Sequence, residues 1–287
     1  MKPSPTDPAA ATEADARPLL EVERLSKSYD STHAVSDLSF RVCAGDVLGL
    51  VGPNGAGKTT TLRTLAGVLP IERGRVTVDG FDLRDQERRA KRQLAWVPDD
   101  PQPFDTLTVD EHLDFTATLY GVDDWRDRAE ALLERFELVE KRGALGGELS
   151  RGMRQKLAFC CAWLPRPRVV LLDEPLSGLD PRGIRSAKAA IREIAAEGTA
   201  VVLSSHLLAL VEELGSRLLV IDRGRPVYDG SMAMALEQLT EGTGLEDVFF
   251  SVTGGGREAD QHPLDRSPSN RDASEAGTNT ALEEVDG

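Results

Sequence analysis

The 287-residue chain is 40% apolar and 29% charged, with a formal net charge of −14. That apolar share suffices for a core in one large domain or two small ones, whereas the acidic balance excludes the broad basic surface that general nucleic-acid binding requires. No window approaches the ~18 consecutive apolar residues of a membrane span, the first residues lack an apolar signal core, and Cys43, Cys160 and Cys161 match neither a disulfide framework nor a zinc spacing, so a protein kept in the reducing cytoplasm is expected.

Residues 1–18 carry prolines, alanines and scattered charges without periodicity and read as a disordered arm. Leu20 and Val22 predict a strand, and Leu38, Phe40 and Val42 alternate with Ser39 and Arg41 as a half-exposed strand does. Between them Tyr29 falls in a polar stretch read as a loop, where an aromatic ring either packs the loop or stacks on a base. Val47–Val51 is a short apolar run, the pattern of a fully buried strand. Gly52-Pro53-Asn54-Gly55-Ala56-Gly57-Lys58-Thr59 follows, with Thr60 after it, and then Leu62, Leu65, Ala66 and Leu69 mark one face of a helix.

Strand, glycine-rich loop and helix in that order are the context that G-x-x-x-x-G-K-[ST] needs to be a phosphate loop. Backbone N–H groups must curl around a phosphate, and side chains in the bend would block its approach, so glycines occupy it. The helix presents its positive end to the anion. Lys58 supplies a point charge for the β- and γ-phosphates, and the Thr59 hydroxyl can ligate Mg²⁺. Nucleotide binding is the reading.

Further along, Arg75-Val76-Thr77-Val78 with Asp79-Gly80 predicts a strand ending in a hairpin turn, and Leu94–Val97 a strand stopped by Pro98. From 107 to 164 the character is helical: Val109, Leu113, Thr116 and Tyr120 share one face, and Leu132, Leu133 and Phe136 another. In LSRGMRQK, Ser150 is placed to cap a helix carrying Leu157, Cys161 and Leu164. The apolar strand 169–172 ends in Asp173-Glu174, carboxylates costly at a buried strand end unless they act on something. In an open α/β sheet that edge is where ligands bind. Ile184, Ile191 and Ile194 mark a helix, and Val201-Val202-Leu203 a strand reaching Ser204-Ser205-His206 at the same edge. A histidine at a strand end is ordinarily structural; beside Asp173 a phosphate contact is the stronger reading. Residues 218–221 and Val227-Tyr228 form a hairpin around Arg223-Gly224; LEDVFFSVTGGG follows a further helix, and beyond Gly254 the polar, acidic chain reads as disordered.

Together these stretches resemble the nucleotide-binding subunits of ABC transporters over about residues 19–250. GPNGAGKTT resembles the Walker A loop, VVLLDEP the Walker B strand, LSRGM the signature, and Leu176-Ser177-Gly178-Leu179-Asp180 the D-loop; His206 sits where the switch histidine belongs, and Tyr29 where the family stacks adenine. The resemblance implies an α/β fold: a P-loop NTPase core of mostly parallel sheet flanked by helices, an N-terminal antiparallel β subdomain, and an inserted helical subdomain at about 100–165. It implies an ATPase domain at 19–236, a C-terminal segment at 237–253 and an acidic tail at 254–287. It further implies a head-to-tail homodimer with ATP and Mg²⁺ between the copies. Gly52, Pro53, Asn54, Gly55, Ala56, Gly57, Lys58, Thr59 and Thr60 of one copy would face Ser150 and Gly152 of the other. Thr59, Asp173 and the Q-loop residue Asp99 would hold Mg²⁺, Glu174 would polarise the attacking water, His206 would contact the γ-phosphate, and Asp180 would couple the two sites.

Two motifs depart from the pattern. The Q-loop ordinarily carries Gln, sometimes Glu, after its proline; here Pro98 is followed by Asp99, assigned over Asp100 and Gln102 by counting. In the signature, Arg151 and Met153 replace the commoner Gly and Gln. The helical region is too short for the coiled coil of the DNA-repair relatives, and one ATPase unit is present, not the two of the translation-factor relatives. The ending LEDVFFSVTGG resembles that of subunits serving ABC-2-type exporters, daunorubicin efflux among them; it can also be read as a plain amphipathic helix. The expectation is an ATPase that powers a separate transmembrane permease for export, peripheral on the inner face of the membrane and without a nucleic-acid partner. The alternative is a soluble regulatory or resistance ATPase acting without one.

Overall fold

The computed structural model describes residues 17–30 and 32–237. The arm expected at 1–18 falls almost wholly outside them, as do the exporter-like segment after Glu237 and the acidic tail.

Two sheets organise the described chain. Strands β1 (Leu20–Tyr29), β2 (Thr32–Val42), β4 (Arg73–Val78) and β5 (Phe81–Asp82) form an antiparallel sheet in the order β2-β1-β4-β5. Strands β3 (Val47–Val51), β6 (Leu94–Val97), β7 (Val169–Asp173), β8 (Ala200–Ser204), β9 (Arg217–Asp222) and β10 (Arg225–Ser231) form a second sheet in the order β10-β9-β3-β8-β7-β6. All its pairings are parallel except β9 with β10. Every residue of β3, β7 and β8 is buried, which is why these strands read as unbroken apolar runs rather than alternating ones.

The two-residue period of a strand sorts these runs into two cores. Leu48, Leu50, Val169, Leu171 and Val202 pack with Leu20, Val22 and Phe40 of the antiparallel sheet and with Leu62 and Leu65. Val47, Val170, Leu172, Val201 and Leu203 point the other way, into a core with Leu113, Leu133, Phe136, Phe159 and Ile191. The second group comes from α3 (Val109–Tyr120), α4 (Arg126–Arg135), α5 (Arg151–Trp163) and α6 (Pro181–Ala196) and their ends. Between β6 and β7 every regular element is helical, as the apolar spacing predicts. Helix α3 begins at a capping box in which Thr108 and Glu111 satisfy each other's backbone.

Two local readings need correction. The first helix, α1 (Lys58–Leu65), stops short of Leu69. Gly67 adopts φ +67, and the Gly67 and Val68 N–H groups bond back to Thr64 and Arg63, a Schellman stop that the apolar spacing concealed. Tyr29 is the last residue of β1, paired with Thr32, rather than a loop residue. Helices α2 (Glu87–Arg92) and α7 (Leu208–Leu214) are too short to leave a periodic signal; α8 (Met232–Glu237) follows the final hairpin as expected.

Candidate nucleotide-binding site

Because β3, β6, β7 and β8 run parallel, their carboxyl ends share one edge of the sheet. There the phosphate loop leaves β3, Asp99 follows β6, Asp173 and Glu174 end β7, and His206 follows β8. An open cavity of about 310 Å³ on this edge is lined by Ala34, residues 54–60, Asp173 and Glu174. Gly57 shapes its wall. With φ +105 and the Ala34 carbonyl directly against the place a Cβ would occupy, no other residue fits without strain. The cradle is also anchored from a segment distant in sequence, because Gly224 donates to the Ala56 carbonyl at 2.9 Å and accepts from the Ser36 N–H at 2.8 Å.

Lys58 opens α1 with its Nζ turned back on the loop, donating to the Gly52 carbonyl at 2.6 Å and the Pro53 carbonyl at 3.2 Å. Burial lowers its pKa, against the pull of the Glu174 and Asp173 carboxylates. The first N–H groups of α1 have no helical partner and face the cavity with the helix dipole behind them, which is the chemistry of an anion site.

Asp173 is only 2% exposed. Burial raises its pKa; a hydrogen bond with the Thr59 hydroxyl works against this, while the charges of Glu174 and Asp99 add to it. A buried carboxylate beside a hydroxyl, repelled by two more acids, is a place where a hard divalent cation gains oxygen ligands and relieves repulsion, so these residues fit Mg²⁺. Among the described residues no three acidic, histidine or cysteine side chains form a preformed metal cage.

Glu174 takes a left-handed backbone, φ +46, strained for a side chain of this kind. Its carboxylate is held on both oxygens: Oε1 accepts from the His206 backbone N–H at 2.8 Å, and Oε2 meets the Ser205 hydroxyl at 3.2 Å and His206 Nδ1 at 2.8 Å. The end of β8 thereby aims the second acid of β7. Ser205 was missed in the sequence, where only its place next to His206 could have drawn notice.

The remaining residues do not line this cavity. Ser150 caps α5, its Oγ accepting from the Met153 N–H at 3.3 Å. Gly152 lies against loop 174–180, where a Cβ would come within 2.6 Å of the Gly178 carbonyl. Asp180 caps α6 through the Gly183 N–H at 3.2 Å and pairs with Lys156 at 3.1 Å, and that partner lowers its pKa. Tyr29 is 46% exposed at the end of β1, opposite Thr32, with Lys27 Nζ 5.7 Å from its ring centre. Asp99 accepts from Arg151 at 3.3 Å, whereas Asp100 and Gln102 bond to each other at 2.7 Å.

The chain is similar to known proteins in sequence and in fold. The family model described as ABC transporter matches residues 35–177. The chain is 36% identical to the Nod factor export ATP-binding protein I of Burkholderia pseudomallei, covering 76% of this chain and 72% of that one. It is 34% identical to the daunorubicin resistance ATP-binding protein DrrA2 of Streptomyces coeruleorubidus, over 80% and 71% respectively. Among solved structures, an ATP-binding subunit of an ABC transporter superposes with a TM-score of 0.78 at 32% identity, covering 82% of this chain and 99% of that one.

Proposed function

Because this chain belongs to the ABC transporter family of ATP-binding subunits, an ATPase family coupled to transport, we propose that it drives export through a separate transmembrane permease, closing as a homodimer over ATP and Mg²⁺. The observation that carries this reading is the pairing of the phosphate loop with Asp173 and Glu174 across one cavity, Glu174 being held in aim by Ser205 and His206.

In this mechanism the loop N–H groups and Lys58 bind the phosphates, and Tyr29 stacks on the adenine. Thr59, Asp173 and Asp99 would hold Mg²⁺, which supplies charge neutralisation on the transferring phosphate. Glu174 orients a water and takes its proton as the water oxygen attacks the γ-phosphorus. The bond to the bridging oxygen breaks, leaving ADP and phosphate. His206 steadies the charge that develops on the γ-phosphate. Ser150 and Gly152 stand outside their own chain's cavity, a placement that suits a role on the nucleotide of a second copy, and Asp180 beside them would relay closure between the two sites.

An apolar groove beside Asp99 supports a membrane partner. Phe104 (57% exposed) and Phe115 (47% exposed) meet edge to face at 5.6 Å along it. In its walls Trp96 Nε1 and Arg154 Nε are buried without an acceptor among the described residues. A permease segment seated there would cover the rings and feel the Asp99 segment move. The export direction rests on the relatives' names and on the LEDVFFSVTGG ending. No helix among the described residues is long and apolar enough to cross a membrane, so attachment through such a partner would make the chain peripheral.

The deciding experiment is light scattering on Glu174→Gln with Mg²⁺ and ATP. The variant should bind ATP, fail to turn it over and double in mass. A protein that stays single while ATP-saturated overturns the closing mechanism. Pull-down with a multi-spanning protein supports the permease reading; full activity in cytosol with no membrane partner supports the soluble alternative.

A further inference from the structure

Arg151, the first residue of α5, lays its side chain along loop 174–180: a Cβ on Gly178 would come 3.2 Å from its Cγ and Cδ. Its Nη2 donates to Ser177 Oγ at 2.7 Å and to Asp99 Oδ1 at 3.3 Å. One guanidinium thus ties together the exit of β6, the loop after β7 and the start of α5, which carries Ser150 and Gly152. The two side chains of the ion pair are each 50% exposed. A pair so open to water is weak and gives way to a better partner.

Asp99 has a second suitor. Its charge reaches Asp173 across the sheet edge, and two like charges in that position repel each other. A hard divalent cation bound at Thr59 and Asp173 reverses that relation, because it offers two positive charges to carboxylate oxygens where Arg151 offers one diffuse charge.

We propose that Arg151 is a positioning residue that holds Asp99 in reserve, clamped to the start of α5 until divalent cation arrives with the nucleotide, draws Asp99 over and opens the clamp. Cation binding is then coupled through one ion pair to release of the helix end that presents Ser150 and Gly152. Two of the departures from the family pattern, Asp99 and Arg151, become halves of one device. The inference rests on the nucleotide-site reading given above.

The test uses the full chain, a non-hydrolysable ATP analogue, and Mn²⁺ followed by electron paramagnetic resonance. Arg151→Ala should tighten Mn²⁺ about two- to five-fold, the scale of an exposed ion pair, and Asp99→Asn should loosen it. In the Asp99→Asn background Arg151→Ala should change nothing. Hydrogen exchange at residues 151–154 should rise on Mn²⁺ addition in the wild type and be high beforehand in Arg151→Ala. Arg151→Met, which keeps the apolar stem over Gly178, runs alongside so that a folding defect in one variant does not blunt the result. Unchanged Mn²⁺ affinity, or equal tightening in the Asp99→Asn background, overturns the clamp. Analogue binding measured without metal separates the two readings: no binding at all removes the nucleotide site itself, whereas normal binding with Mn²⁺ indifferent to Arg151 removes the clamp alone.

Discussion

His206 grips both oxygens of Glu174, with its backbone N–H 2.8 Å from Oε1 and its Nδ1 2.8 Å from Oε2. The two residues follow the ends of neighbouring parallel strands, whose last paired residues are Asp173 and Ser204, so the aim of the acid depends on sheet register as well as on its own rotamer. Glu174→Gln should lower phosphate release by about 10²–10⁴-fold. His206→Ala should lose less, because the backbone contact survives. Adding it to Glu174→Gln should cost little more, since both act as one unit; full multiplication of the two losses in steady-state phosphate release would contradict that unit.

Lys58 bonds to two carbonyls of its own loop, and in the proposed mechanism phosphate would take their place. Removing a charged hydrogen-bond donor costs about 1.5–3 kcal/mol, so Lys58→Ala should weaken ATP binding by roughly ten- to a hundred-fold in calorimetric titration. Unchanged affinity would take Lys58 out of the site.

Burial raises the Asp173 pKa in the folded chain. The sign follows from linkage: the ionised carboxylate destabilises the nucleotide-free fold as pH rises through the folded pKa, and this penalty is absent below about pH 4, where the group is protonated both folded and unfolded. Asp173→Asn should therefore melt higher than wild type at pH 7, by roughly 2–4 °C per kcal/mol relieved, with the gap closing as pH falls toward 4. Mg²⁺ with nucleotide should reverse the order. A variant that melts lower than wild type at neutral pH without ligand would sink the argument.

Asp99→Gln puts at the proposed Q-loop position the residue that the family resemblance leads one to expect, while removing a charge. ATP turnover should persist at saturating Mg²⁺, and its stimulation by the reconstituted permease should change. Identical stimulation in both forms would make the substitution neutral.

Phe115→Asp puts a charge among the exposed aromatics of the groove beside Asp99. Recovery of the chain with membranes that contain the permease should fall at least ten-fold, ATP titration serving as the control for folding. Undiminished recovery would move the docking surface elsewhere.

Much of the site was legible because its chemistry is local. The glycines, Lys58 and Thr59 sit in one unbroken stretch, and the acids after Leu172 end a run that could only be a buried strand. The helical character of 107–164 was legible for the same reason, since period is written in neighbours. What escaped depends on pairs distant in sequence or on backbone angles. Nothing near Glu174 announces φ +46, a consequence of the turn between β7 and loop 174–180. Leu69 continued the apolar spacing of α1 although Gly67 had already stopped the helix. Tyr29 stands among polar residues that read as a loop, although it pairs with Thr32. Asp99 and Arg151 each looked like an isolated oddity, and only the fold sets them 3.3 Å apart.

The bond between Gly224 and Ala56 joins segments far apart in sequence, and β9 flanks β3 along the phosphate loop's supporting strand. During synthesis the glycine-rich loop emerges early and the hairpin that braces it emerges late. A nascent or prematurely stopped polypeptide lacking β9 thus carries the whole motif without a finished anion cradle. Shortening or re-registering that hairpin would therefore loosen the glycine-rich loop without touching any residue of the motif itself.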